Sequence, residues 1–320
     1  MESNATIVIP NCTFTWFHSF EGIKSSLGVV GALLNFVLVY VIFRNKNLHS
    51  PCGFLIASSS FCIAHWQMNL MIAFILVELD ANILSTAFCI FMQAYLVFAM
   101  QGMEVLILFI ALDRLFNVAL PTWTRNLQKQ NYFLIMLTIA VAYVGYSTYE
   151  CVDSAIRILK GIDSLKCVCF DIATPRVVQF MMIFNACSVF CYIVLWLLLK
   201  FKSKSKVNKR IFKALAIIML VDVLGWSSST IIWNLSAFVK FSPMVEYYLR
   251  TVIQLILVLT TSSNSIVLLA TSTDYRQAYS RVFPRMFNCF SKLKNKINSS
   301  TSGNNNILFV ASESGRNTTR

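Results

Sequence analysis

Seven blocks of apolar residues run along the 320-residue chain, at 26–43, 52–77, 87–112, 132–149, 177–199, 214–239 and 251–270, each closed off by charged or polar residues. A helix needs roughly 20 apolar residues to cross a bilayer, within a range of about 17–25 and more when tilted, and these blocks have that length. A buried helix of a water-soluble protein shows a polar stripe at helical period. Here, from Leu27 to Phe43, only Asn35 and Tyr40 interrupt the apolar run. The pattern predicts seven membrane-spanning helices.

Composition agrees. Hydrophobic residues make up 57% and charged residues 13% of the chain, against roughly 45–50% and about 25% in soluble domains. That excludes a water-soluble globule, and with it collagen, coiled coil and disorder as the main architecture. No Pro/Gly-rich linker separates the apolar blocks, so they form one unit spanning 26–270, preceded by a tail at 1–25. From Ser299 the chain turns polar (Ser-Ser-Thr-Ser-Gly-Asn-Asn-Asn), too poor in apolar groups to offset ordering entropy, which predicts a disordered tail over 291–320.

The net charge of +13 would suggest nucleic acid in a soluble protein; its distribution points to lipid instead. With the N-terminus outside, the cytoplasmic side carries two Lys or Arg in 44–51, three in 113–131, seven in 200–213 and eight in 271–320, twenty in all, against seven outside. Basic loops stay cytoplasmic. The densest run contains Lys206, Lys209 and Arg210 and can rest on anionic inner-leaflet lipid. No nucleic-acid partner is expected. Residues 1–25 lack the basic start, apolar stretch and cleavage site of a signal peptide, so the first helix is expected to insert uncleaved. Asn4-Ala-Thr6 and Asn11-Cys-Thr13 are glycosylation acceptors on the side that the charge places outside. Asn298 and Asn317 also sit in such triplets, on the cytoplasmic side.

Of the ten cysteines, Cys52, Cys62, Cys187 and Cys191 fall in or near predicted helices and read as small packing residues. Cys89 opens the third helix at the outer face, and Cys167 and Cys169 lie in the outer loop 150–174. The oxidising exterior permits one bridge from Cys89 to Cys169 or Cys167, with Cys169 preferred. Cys12 and Cys151 are left to pair with each other or with the remaining thiol. No His lies near the Cys-x-Cys pair, which disfavours a metal site.

The cytoplasmic end of the third helix reads Ala111-Leu-Asp113-Arg114-Leu-Phe-Asn-Val118-Ala-Leu-Pro121. This resembles the Asp-Arg-Tyr region of rhodopsin-like G-protein-coupled receptors, with Val118 and Pro121 at the matching spacing. Cys89 lies 25 residues before Arg114, as that family's disulfide Cys does. Asn35 with Leu48 resembles the first-helix motif, Trp226 the sixth-helix toggle Trp and Asn264-Ser-Ile-Val-Leu268 the seventh-helix Asn-Pro-x-x-Tyr. Asp274-Tyr-Arg-Gln-Ala-Tyr279 is similar to the amphipathic eighth helix, which the resemblance sets at 271–290. The chain departs from that pattern: the second helix has no mid-membrane Asp, the fourth no Trp, and the fifth and sixth no Pro. Leu48-His-Ser-Pro-Cys-Gly-Phe-Leu-Ile56, Cys89-Ile-Phe-x-x-Ala-Tyr95, Gln101 and Leu112-Asp-Arg-Leu115 are closer to the nematode serpentine chemoreceptors, class SX.

The resemblance implies an all-α membrane protein, a seven-transmembrane helix bundle with a short amphipathic eighth helix, and no enzymatic activity or cofactor. It implies coupling to a heterotrimeric G protein around Asp113, Arg114, Pro121 and Asn264 and the basic loop. Gln93, Val97, Met100, Gln101 and Glu104 share one helical face of the third helix. With Trp226, Trp233 and Asn234 of the sixth and Gln254 of the seventh, they offer an apolar, aromatic cavity with amide groups for a small-molecule or peptide ligand. Leu96, where amine receptors carry an Asp, speaks against a biogenic amine. In the family the positions of Glu104 and Asp222 face each other, so these carboxylates are expected to share one proton, as intramembrane ionisable residues tend to be functional. The rival readings are a multi-pass transporter, for which no internal repeat is found, and a ligand-gated channel with its N-terminus inside, which the charge split opposes. No HExxH, GxSxG or phosphate loop supports a membrane enzyme.

Overall fold

The computed structural model describes residues 15–79, 83–122, 129–166, 175–202, 225–229, 231, 239 and 243–284. Six of the described helices are long and apolar enough to cross a membrane: α1 Thr15–Arg44, α2 Pro51–Glu78, α3 Thr86–Ala119, α4 Lys129–Ile158, α5 Pro175–Lys202 and α6 Pro243–Thr271. α6 is the seventh apolar block. The block at 214–239 lies mostly outside the described residues, apart from 225–229, 231 and 239.

Four helices, α1, α3, α4 and α6, outrun their apolar blocks by seven or more residues, and in α1 and α4 a charge pair lies in the extension. α1 begins at Thr15, ahead of the block at 26, because Glu21 and Lys24 sit one turn apart and bind each other at 2.6 Å. Paired charges do not end a helix as isolated ones would in lipid. α4 runs past Glu150 to Ile158, where Arg157 bridges Asp153 at i, i+4. Cys151 is therefore a buried helical residue, not a loop residue as expected.

α3 is the hub. It packs against α2, α4 and α5, while α1 packs against α2 and α6. Every residue from Gln101 to Ala111 is buried. Outward faces are apolar: Val30 and Leu33 of α1, Ile135 and Ile139 of α4, Phe190 and Trp196 of α5, and Val252 and Leu259 of α6 are all exposed. Water would penalise such a surface, whereas hydrocarbon does not.

One departure from an all-helical fold stands out. Strand β1 (Ile83–Ser85) pairs antiparallel with β2 (Ser164–Lys166), with Leu84 opposite Leu165. The Ser85 hydroxyl caps α3 by accepting from Phe88 N, and Thr86 N donates to Asp163 O at 2.9 Å. Gly161, with φ of 88°, takes the left-handed conformation that turns the chain from α4 into β2. Residues 164–166 of the loop expected to be tied to α3 by a disulfide thus pair with the strand that leads into α3, while Cys167 and Cys169 lie outside the described residues.

The chain divides into Met1–Ser272 and Thr273–Arg320. The second unit contains α7, Thr273–Val282, in which Tyr275, Ala278 and Tyr279 share one face. Asp274 in its first turn and Arg281 in its last complement the helix dipole.

At Gly31 α1 comes close to both α2 and α6. A Cβ there would overlap Ser262 Oγ and lie 2.6 Å from Gln67 Nε2, two atoms bonded to each other at 2.9 Å. Gly31→Ala is expected to lower stability by about 1–3 kcal/mol, read as a lower melting temperature of the purified protein. Adding Ser262→Ala should recover part of the loss; an unchanged melting temperature for Gly31→Ala would contradict this packing.

Candidate functional site

On the predicted face of α3, Val97, Gln101 and Glu104 are buried, and Gln93 and Met100 are half-buried. Gln101 does not hang free. Its Oε1 accepts from the Tyr143 hydroxyl of α4 at 2.8 Å. Phe184 and Phe180 of α5 hold the Tyr143 ring edge-on at 4.6 and 5.9 Å between centroids. Sequence reasoning missed Tyr143 because nothing in an apolar block marks which tyrosine turns inward. Asn185 of α5 lies beside the Glu104 carboxyl, and among the described residues both carboxyl oxygens and Asn185 Nδ2 are buried without a hydrogen-bond partner. Asp222, the expected partner of Glu104, lies outside the described residues.

A second polar set joins α1, α2 and α6. Asn35 Nδ2 donates to Gly31 O at 2.9 Å and reaches Gln67 Oε1 at 3.3 Å and Thr261 O at 3.4 Å. Gln67 Nε2 donates to Thr261 Oγ1 at 3.1 Å and Ser262 Oγ at 2.9 Å. Ser265 Oγ donates across to Leu34 O at 3.0 Å, beside the buried Asn264. The absence of a second-helix Asp, visible in the sequence, now has a structural counterpart: a neutral amide, Gln67, closes this set without a charge. Trp226 is buried with its ring 6.2 Å from that of Trp66.

Towards the other end of α1, Lys24 Nζ donates to Glu21 Oε1 at 2.6 Å and to Gln254 Oε1 of α6 at 3.0 Å. Gln254 was expected at the ligand cavity; Glu21 and Lys24 were not, since a boundary drawn at the first charge left them in the tail. Phe20 of α1 packs edge-on against Tyr248 of α6, with 5.8 Å between ring centroids.

At the opposite end of α3, Asp113 is buried and takes a bond from Asn117 Nδ2 at 3.1 Å. The Cys52 thiol of α2 is within hydrogen-bonding reach of both Asp113 and Arg114. Cys62 is partly buried and Cys191 buried, as packing residues should be, but Cys187 is exposed on α5. Pro121 is exposed just after α3. Cys89 is fully buried at the start of α3, packed with Leu159, Leu84 and Ile90.

Several expected site residues lie outside the described residues: Asn4, Asn11, Cys12, Cys167, Cys169, Lys206, Lys209, Arg210, Trp233 and Asn234. Among the described residues, no three His, Cys, Asp or Glu side chains converge on a point where a metal could bind.

The family model described as serpentine type 7TM GPCR chemoreceptor Srsx matches residues 28–283. Comparison with individually curated proteins gives no match.

The Tyr143–Gln101 bond lies in a region of low dielectric, where an unpaired amide is costly. Tyr143→Phe is expected to cost about 1–2 kcal/mol, and Gln101→Leu in the same chain should restore most of it. Thermal unfolding of Tyr143→Phe alone, Gln101→Leu alone and the double variant checks this; strict additivity would show that the two side chains do not interact.

Proposed function

The chain belongs to the Srsx family of serpentine-type seven-transmembrane chemoreceptors, and from that premise we propose that it is a plasma-membrane receptor for a small-molecule or peptide ligand, signalling through a heterotrimeric G protein. In this reading block 214–239 supplies the remaining span, the N-terminus is outside, and α7 lies on the inner membrane face. One observation carries it. α3 is buried from Gln101 to Ala111, carries the amides Gln93 and Gln101 in its N-terminal half and has Asp113 and Arg114 near its C-terminal end. A helix enclosed on all sides, with polar groups at one end and a charge pair at the other, can couple the two ends when a ligand favours one packing over another.

On the outer side Gln93, Val97, Met100 and Trp226 are the proposed ligand contacts, with Trp233 and Asn234 from the remainder of the sixth block. Cys89 bridges to Cys169 or Cys167, fastening the loop whose backbone already pairs with β1. On the inner side ligand binding frees Arg114 from Asp113, and the basic run with Lys206, Lys209 and Arg210 meets anionic lipid and the G protein. Glu104 and Asp222 share one proton between α3 and the sixth span.

Arg114→Ala tests the reading. In this variant the buried Asp113 keeps its bond from Asn117 Nδ2 at 3.1 Å, so surface expression should stay near that of the parent chain while agonist-driven G-protein activation falls. Unchanged activation in this variant would remove Arg114 from the coupling end, and no agonist-driven activation in the parent chain would favour a transporter or channel over a receptor.

A further inference from the structure

Glu21 and Lys24 are charges inside a segment capable of spanning the membrane, Ser19–Arg44. Their side chains are only 5% and 7% exposed. Ionisable residues at such positions are expensive and tend to mark function. The pair neutralises itself at 2.6 Å, yet its hydrogen bonding is incomplete. Lys24 uses two donors, on Glu21 Oε1 and Gln254 Oε1. Glu21 Oε2 is buried and has no hydrogen-bond partner among the described residues. Among the described residues the Gln254 amide nitrogen also makes no hydrogen bond, although Gln254 is only half-buried.

A simple strap between α1 and α6 does not account for these leftovers. A carboxylate oxygen held in place without a partner forfeits the solvation it would have in water. Beside it, a half-buried amide offers a donor. An acceptor and a donor on neighbouring helices match a group that is itself both donor and acceptor. Charge sets a further limit: the carboxylate is already balanced by Lys24, so a ligand carrying a full charge would leave one charge unmatched in a low-dielectric site.

We propose that Glu21, Lys24 and Gln254 form a ligand subsite between α1 and α6 that takes a neutral hydroxyl or primary amide. The ligand group donates to Glu21 Oε2 and accepts from Gln254 Nε2, while Lys24 holds both residues in place. The proposal rests on the receptor reading and adds to it the chemical class of the ligand's polar group. It places that group at the α1–α6 seam, away from the α3 face.

The test uses the full chain in lipid nanodiscs and probes built on shared aliphatic skeletons: primary alcohol, primary amide, methyl ketone, carboxylate and amine. Binding is read by thermal shift, with empty nanodiscs correcting for partition into lipid. Alcohols and amides are expected to stabilise the protein more than the matched ketone, carboxylate or amine. Glu21→Gln and Gln254→Leu should each weaken that preferred binding by about tenfold or more, as expected for loss of a bond to a charged or buried group. Should either variant fail to fold, the other carries the comparison.

If all the probes shifted the melting temperature alike, or if the preference survived in both variants, the triad would be only a strap and the proposal would be overturned. Basal nucleotide exchange on an added heterotrimeric G protein is measured on the same preparation. Exchange without alcohol and amide selectivity overturns the subsite alone. Selectivity without exchange supports the subsite and overturns the receptor reading on which its signalling role rests.

Discussion

Lipid offers no hydrogen bonds, so a polar side chain that enters a membrane bundle has to find its partner within the protein. Asn35, Gln67 and Thr261 meet that constraint together. Their bonds cross three helices, and the contacts depend on Gly31 leaving room for Gln67 and Ser262. Moving any one of the three side chains strands at least one of the others. Through this set α1 and α6 are held against α2, and α2 packs on α3. The position of the buried column of α3, and hence of both its polar ends, follows from that arrangement.

Most of the span pattern was legible because lipid imposes a length and a composition that the chain must obey in one stretch at a time. Boundaries were less so. Counting charge as a stop removed Thr15 to Ser25 from α1, although Glu21 and Lys24 cancel each other one turn apart. Residues 150–158 of α4 were missed for a related reason, since Asp153 and Arg157 keep the helix going beyond its apolar block. The β1–β2 ladder gave no warning at all: each strand has three residues, too few for any periodicity to register.

Side-chain pairing was the least legible level. The i, i+4, i+7 rule places the named residues of α3 on one face, but it could not say that Gln101 would be taken by Tyr143 or that Asn185 would lie beside Glu104. Such partners come from other helices, and their identity depends on crossing geometry that a single segment does not encode. Cys52 illustrates the same point. Its sequence context supports a packing role, yet α2 brings its thiol to Asp113 and Arg114. That contact makes α2 part of the coupling end proposed for α3.

The central claim is a receptor with its ligand side and N-terminus outside and its Arg114 end in the cytoplasm. Mapping of N-linked glycans on the full chain tests this orientation most directly. Asn4 and Asn11 should carry glycans that an amidase removes, while Asn298 and Asn317 stay unmodified. Glycans on Asn298 or Asn317, with none on Asn4 and Asn11, would invert the topology and contradict the claim.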